Sequence, residues 1–204
     1  MTGLRAKHKV DRTRRMQEAA ALLFREASYG AVRMEDIAAA ANVSVGTLYN
    51  YFATKGDLLL AIVSMEVEEV LTAGAAVLAN PPDDPAEALD AMVGGYFDHS
   101  LVYLSKAMWR TAMALSIEAP DTPFSRRYTA LDGMLTAQIG EMVAALQRRQ
   151  QLKSGVPARI VAEVLFNNLN HMFIEFVKAE QMEMETLRGA VRRQNAMVIG
   201  LLIR

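Results

Sequence analysis

The stretch from Arg33 to Lys55, RMEDIAAAANVSVGTLYNYFATK, reads as two short helices joined by a tight turn. The first, Met34–Ala41, opens with acidic residues, which suit the positive N-terminal end of a helix dipole. Asn42 tolerates the left-handed conformation that a sharp helix exit requires. Ser44 can then cap a second helix, Val45–Phe52, by accepting a backbone N–H. This arrangement predicts a helix-turn-helix, whose second helix enters the DNA major groove with its N-terminal residues leading.

The same segment resembles the signature of the TetR family of transcriptional regulators, and the resemblance covers about residues 14–60. It is carried by Ala19-Ala20, Leu23-Phe24, Tyr29, Ile37-Ala38, Ala41-Asn42-Val43-Ser44, Gly46-Thr47-Leu48-Tyr49, Tyr51-Phe52, Lys55 and Leu58-Leu59. Three positions depart from the family pattern. Val32-Arg33 replaces the usual Thr-Thr, Asn42 the usual turn Gly, and Ser28 the Gly after the first helix. The resemblance implies a helix-turn-helix head on a helical, ligand-binding and dimeric body.

The faces of the second helix that point away from the first suggest how DNA would be bound. Gly46 lacks a Cβ and lets the backbone approach the sugar-phosphate, while nearby hydroxyls and a lysine can bind phosphates. Val45 and Asn50 are best placed for base edges, Val45 on a thymine methyl and Asn50 on adenine. Arg33 puts a cation where a phosphate could sit, and Tyr51 could equally belong to the core. The candidate DNA-binding residues are Arg33, Ser44, Val45, Gly46, Thr47, Tyr49, Asn50, Tyr51 and Lys55.

Composition indicates an all-α protein. The 204 residues are 52% hydrophobic, contain no cysteine, and offer no apolar run long enough to cross a membrane. Without disulfides or a secretory signal, we expect a cytoplasmic protein with no membrane partner. The net charge of −1 is unevenly spread. Residues 1–55 carry nine Lys and Arg against five Asp and Glu, as a DNA-facing head would.

Helical periodicity and breakers predict about nine helices in two domains. Residues 1–55 would form the helix-turn-helix DNA-binding domain and residues 56–204 the ligand-binding and dimerisation domain. Residues 1–9 lack periodicity and suggest an arm, so the first helix is placed at 10–27. The remaining helices are expected at about 54–78, from 84 onward, and at 105–116, 124–151, 157–180 and 184–203, because prolines and turn formers separate them.

The last two helices suggest a dimer interface. The helix from Pro157 is apolar on two sides, and a helix apolar nearly all round must be buried nearly all round. Near the end of a chain of this size, a second copy is the cover we expect, through a four-helix interface. The interface residues chosen by helical phase are Val161, Leu165, Met172, Phe176, Leu187, Val191, Gln194, Val198 and Leu201.

The helical body also suggests a ligand pocket. Thirteen methionines and several aromatic residues suit an adaptable apolar cavity. The predicted ligand-binding residues are Met92, Tyr96, His99, Trp109, Met113, Phe166, Asn170, His171 and Phe173. His171 and Glu175 lie four apart on one helix and invite a metal, but no third ligand is evident, and buried hydrogen-bonded histidines are the preferred reading. No catalytic motif is present, so we expect no catalytic residue, metal or cofactor.

These patterns favour a homodimeric, ligand-responsive transcriptional regulator, more simply a repressor, that binds a palindromic double-stranded operator and is released by a small, largely apolar effector. Two alternatives stay open. One is an all-α enzyme on a TetR-like fold, which multiple turnover would reveal. The other is a constitutive DNA-binding protein without an effector, which no ligand would stabilise.

Overall fold

The computed structural model describes the backbone of residues 2–203 and the side chains of residues 7–203. Within this range the chain is all-α, as predicted, and one isolated bridge joins Leu152 and Ile203. The helices are α1 (Thr2–Glu26), α2 (Met34–Ala40), α3 (Val45–Tyr51), α4 (Lys55–Ala79), α5 (Pro85–His99), α6 (Lys106–Glu118), α7 (Pro123–Arg148), α8 (Ala158–Lys178) and α9 (Met184–Gly200).

The predicted helix starts are correct to within one or two residues wherever a cap marks them. Asp84 Oδ1 accepts the backbone N–H groups of Ala86 and Glu87, each at 2.9 Å, at the start of α5. Thr54 and Asp57 form the reciprocal capping box before α4, with N···O distances of 2.9 and 3.0 Å. The caps therefore locate these helix starts from sequence alone.

The predicted arm is wrong for the described residues, because α1 begins at Thr2 and not near Val10. Residues 7–12 are all exposed, so this part of the helix has no apolar stripe for periodicity to detect. It is continuous with the buried part of α1, which begins at Met16. A preformed helix extends at little cost because nucleation is already complete.

One compact unit runs to Met65 and also includes Val102–Tyr128. Apolar side chains around the helix-turn-helix form the core of this unit, and they are almost fully buried. The buried residues include Met16, Ala20, Phe24, Ile37, Leu48, Leu58, Ile62, Leu104, Met108 and Ala112. This core fixes α2 and α3 against α1 and the first turns of α4.

The other unit comprises Glu66–Leu101 and the chain from Thr129 onward. Within it α9 packs on both α5 and α8. Phe173 joins two aromatic contacts, to Phe97 with ring centroids 6.2 Å apart and to Phe176 at 5.9 Å. These two compact units do not coincide with the predicted domains, which meet between residues 55 and 56. The functional division into a DNA-binding and a ligand-binding domain stays a prediction.

Candidate nucleic-acid interface

The turn between α2 and α3 has the geometry that its residues favour. Asn42 has a positive φ of 54°, which Asn tolerates better than most side chains. Ser44 Oγ accepts the backbone N–H of Thr47 at 3.1 Å and caps α3. Asp36 Oδ2 accepts the backbone N–H of Arg33 at 3.0 Å at the start of α2. These local contacts set the direction of α3.

Helix α3 buries one side and presents the other to solvent. Leu48 is fully buried and Phe52 nearly so, as their spacing of four residues predicts. Tyr49 is 46% exposed, and Asn50 is exposed beside it. Among the other predicted DNA-binding residues of α3 and its cap, Ser44 and Gly46 are exposed, and Val45, Thr47 and Tyr51 are half-buried. The exposed face therefore offers hydroxyls, an amide and bare backbone.

Gly46 is not required by the fold. A Cβ built at this position meets no atom within 4 Å, and the backbone has no positive φ there. Gly in a helix is destabilising by roughly 0.5–1 kcal/mol relative to Ala. The described part of the folded chain therefore gives no reason for a glycine at position 46, and the expected close approach of a phosphate backbone stays a prediction.

The hydroxyls of Ser44 and Thr47 form a hydrogen bond with each other. Ser44 Oγ and Thr47 Oγ1 lie 2.8 Å apart, and either atom can be the donor. Each hydroxyl carries one proton. While this bond holds, one of the two hydroxyls is free to donate to a phosphate and the other is not. The sequence does not reveal this pairing, because it depends on the rotamers that the cap selects.

Lys55 takes a different role from the one its position predicts. Its ammonium donates to the carbonyls of Tyr29, Val32 and Gly30, with N···O distances of 2.6, 3.0 and 3.3 Å. It also lies 4.6 Å from the centre of the Tyr29 ring. An ammonium has three N–H groups, so none remains for a phosphate in this conformation. The expected phosphate contact of Lys55 is corrected to a contact that holds the α1–α2 loop.

Arg33 remains at the surface at the N-terminal end of α2. Its Nε lies 3.5 Å from Glu35 Oε2, and both side chains are at least half exposed. An exposed pair of this kind contributes little to stability. The guanidinium can therefore turn from Glu35 to a phosphate at small cost.

Five of the nine predicted interface residues of α8 and α9 cannot form an external face. They are at most 3% exposed because they pack inside their own chain, and they are Val161, Leu165, Phe176, Leu187 and Val191. Met172 and Val198 are half-buried, while Gln194 and Leu201 are exposed. The exposed stripe of α8 instead carries Ile160, Val164, Asn167 and His171. Helical phase was misread because both sides of α8 are apolar.

The predicted ligand-binding residues divide between the two compact units. Trp109 and Met113 belong to the unit that contains the helix-turn-helix, and the other seven to the second unit. Met92, Tyr96, Trp109, Phe166 and Phe173 are buried, and His99, Met113 and Asn170 are half-buried. His171 is exposed on the outer stripe of α8, so its assignment to an internal pocket is wrong.

Tyr96 takes part in a buried contact that the sequence did not indicate. Its hydroxyl donates to Gln138 Oε1 at 2.7 Å, and the Gln138 amide donates to the Leu71 carbonyl at 2.7 Å. Burial, with a smaller contribution from the charge of Glu141, raises the pKa of Tyr96. The phenol is therefore a neutral donor. Asp132 also lies in this unit, and burial raises the pKa of its carboxyl to about 6.

His99 is engaged by two carboxylates of α4. Its Nδ1 lies 2.8 Å from Glu66 Oε1 and its Nε2 lies 3.1 Å from Glu69 Oε2. Glu66 is almost fully buried. His99 is thus hydrogen-bonded as expected but only half-buried, whereas His171, for which burial was also expected, is exposed. Among the described residues, no group of three or more His, Asp or Glu side chains is arranged to hold a metal ion.

In the described part of the chain, three of the cavities lie within single units, and no predicted ligand-binding residue lines any of these three. The cavity between α5 and α9, about 280 Å³, includes Asp84, Asp90 and Arg192 in its lining. A second, about 510 Å³, lies between Leu78 and the C-terminal half of α7, and a third, about 220 Å³, beside Leu22. No helix in the described part of the chain is long and apolar enough to span a membrane.

Comparison with known proteins agrees with this geometry. Over 169 residues the chain is 28% identical to the HTH-type transcriptional repressor KstR of Rhodococcus jostii, covering 78% of this chain and 71% of KstR. A transcriptional regulator from Saccharomonospora viridis, solved in complex with choline, superimposes with a TM-score of 0.72 at 19% identity and covers 96% and 99% of the two chains.

FadR from Bacillus subtilis, solved in complex with stearoyl-CoA, superimposes with a TM-score of 0.68 at 16% identity and covers 89% and 96% of the two chains. At these identities the two structures show the fold alone. Residues 18–62, which contain α2, α3 and most of the buried residues of α1, match the family model described as bacterial regulatory proteins, tetR family. Residues 18–62 of this chain are therefore a TetR-family DNA-binding region, and the relatives of the longer chain are HTH-type transcriptional regulators.

Proposed function

We propose that this protein is a homodimeric, ligand-responsive repressor that binds a palindromic operator. The observation that carries the proposal is the exposed face of α3, where Tyr49, Asn50 and Gly46 are available while Leu48 is fully buried. A helix that buries only its inner side in a helix-turn-helix has its other side free for the major groove. We assign DNA binding to residues 1–55, and ligand binding and dimerisation to residues 56–204, of a cytoplasmic protein.

Dimerisation is supported by apolar side chains left exposed on α8 and at the C-terminal end of α9. Ile160 is 37% exposed and Val164 49%, while Met197 and Leu201 are about 70% exposed. Because α8 and α9 pack against each other, these side chains form a surface that we name the α8–α9 patch. A two-fold dimer through this patch would present two α3 helices to half-sites about 34–36 Å apart.

An effector is supported by the relatives and by the buried aromatic residues of the body. One structural neighbour holds choline and another stearoyl-CoA, so the fold accommodates ligands of very different size. Tyr96, Phe166 and Phe173 here are buried, and a site lined by such residues suits a largely apolar ligand. The effector would favour a dimer with a different spacing of the two heads and so release DNA.

Selection of binding duplexes from a random pool tests the DNA-binding function. We expect recovery of an inverted repeat that the protein binds at one dimer per duplex, with a preference over unrelated duplex of roughly 10³-fold or more. Failure to enrich any sequence would contradict the proposal. A thermal-shift screen followed by DNA release with each hit then separates the alternatives. Stabilisation without release favours a constitutive binder, and turnover of a hit favours an enzyme.

A further inference from the structure

The N-terminal half of α1 carries two arginines and a histidine in a row on one side. His8, Arg12 and Arg15 follow each other at i, i+4 and i+7, which places them on one helix face. All three are exposed. We name this row the α1 basic stripe. Its ends lie seven residue steps apart, or about 10 Å at 1.5 Å per residue, which matches about three base-pair steps of a duplex at 3.4 Å each.

The neighbouring row of α1 differs in charge and in partners. It contains both acidic residues of this segment, Asp11 and Glu18, together with Arg14. Arg14 Nε lies 2.9 Å from Glu18 Oε1, and its guanidinium also donates to the Tyr103 hydroxyl at 3.1 Å. Arg14 is therefore used within the protein, whereas the α1 basic stripe contains no acidic residue.

Arg12 and Arg15 form no hydrogen bond or ion pair with any residue that the structure describes. The first turn of the helix also contains no acidic residue to offset the positive end of its dipole. The positive charge of Arg12 and Arg15 is thus not offset by an acidic residue within the stripe itself. A polyanion of regular spacing complements it.

We propose that the α1 basic stripe is a second DNA-binding surface, which binds duplex phosphates while α3 reads base edges. It extends the proposed repressor function and rests on it. A lipid surface fits less well, because a helix that lies on a membrane needs an exposed apolar face. Among residues 7–15, Val10 is the one large apolar side chain that is exposed. The stripe therefore contributes sequence-independent affinity.

The test compares Arg12→Gln/Arg15→Gln with Arg148→Gln/Arg149→Gln, which removes the same charge from two exposed arginines at the end of α7. The dissociation constants for a selected duplex and for an unrelated duplex are measured between about 50 and 200 mM salt. We expect the α1 variant to lose affinity for both duplexes and to make the log–log salt slope shallower by about two. The α7 variant should keep the wild-type slope.

An unchanged slope in the α1 variant would overturn the stripe, provided that wild type still prefers the selected duplex. Loss of that preference in wild type would instead overturn the repressor function. Circular dichroism should show equal helix content, since Gln and Arg have similar helix propensity. Binding of wild type, but not of the α1 variant, to phosphatidylglycerol vesicles with no change in the DNA slope would assign the stripe to membranes and also overturn the proposal.

Discussion

The Tyr96 hydroxyl and the Gln138 side chain form a buried hydrogen bond of 2.7 Å that links α5 to α7. Gln138 continues the link to α4 through the Leu71 carbonyl, also at 2.7 Å. Tyr96 is 6% and Gln138 8% exposed, so both polar groups are satisfied away from water. The link requires Gly74, because a Cβ there would lie 2.8 Å from Gln138 Cδ and closer still to Oε1.

Gly74→Ala should therefore destabilise the protein although Ala is the better helix former. Displacing the Gln138 amide overpacks the contact and leaves buried polar groups unpaired, so we expect a loss of about 1–3 kcal/mol of unfolding free energy. Denaturant unfolding measures this loss. Gly133→Ala is the matched control, because a Cβ at Gly133 on the exposed side of α7 meets no atom within 4 Å.

The double variant Gly74→Ala/Gln138→Ala checks the cause. Removing the amide makes room for the new Cβ, so the two losses should sum to more than the loss in the double variant. Additive losses would show that Gly74 is required for some reason other than the Gln138 side chain.

Gly46→Ala should separate DNA binding from stability. The folded chain has room for the methyl group, and the helix gains roughly 0.5–1 kcal/mol from the change. The same methyl group would stand between the backbone of α3 and DNA, so we expect a rise in Tm together with weaker binding to the selected duplex. Gly133→Ala should raise Tm without affecting binding. Unchanged affinity in the Gly46 variant would place the phosphate backbone elsewhere.

Lys55→Met should destabilise the head without changing how the protein responds to salt. The carbonyls of Tyr29, Gly30 and Val32 lose their hydrogen-bond donor. The adjoining Tyr29 phenol is partly buried, and burial, with a smaller contribution from the Asp57 charge, raises its pKa. We expect a loss of about 1–3 kcal/mol in unfolding free energy and an unchanged salt slope of the folded variant.

Asn50→Ala is the contrast to Lys55→Met. Its stability should stay within about 0.5 kcal/mol of wild type, and about 1–3 kcal/mol of discrimination should be lost at particular base pairs. If the Lys55 variant instead shows a slope shallower by about one, its ammonium binds a phosphate after all.

Short sequence patterns were enough to predict where the capped helices begin. Which side of each helix is buried depends on contacts between residues far apart in the sequence. Caps such as Asp84 are read from a few adjacent residues, so the helix starts were predictable. The face of α8 was not, because Val161 and Val164 are equally apolar and only the packing of α9 and α5 decides which is buried. Gln138 and the loop carbonyls bound by Lys55 gave no sequence signal, since their partners lie far along the chain.

Val164→Arg/Met197→Arg should disrupt the proposed dimer while leaving the fold intact. Both side chains are largely exposed in the single chain, so a charge there is solvated in the monomer and buried only across the α8–α9 patch. Sedimentation should show a folded monomer that binds the inverted repeat at least 10²-fold more weakly. Phe176→Arg should unfold the chain instead, because Phe176 is 1% exposed. A double variant that stays dimeric would move the interface elsewhere.

Asp132→Asn should stabilise the protein at neutral pH and much less in acid. Burial raises the folded-state pKa of this carboxyl from 3.8 to about 6. The folded state therefore binds the proton more tightly than the unfolded chain, and stability falls as pH rises between these two values. Above about pH 6 the full penalty is present, and after a discount for partial exposure it amounts to about 2 kcal/mol. Asn is close in shape and carries no charge, so it removes the penalty.

The measurement is the change in unfolding free energy between about pH 4 and pH 7.5. The loss of stability over this range should be smaller in Asp132→Asn than in wild type, by about 2 kcal/mol. Asp83→Asn, at an exposed loop position, should leave the wild-type difference in place, and an equal difference in both variants would show that the Asp132 carboxyl is hydrated.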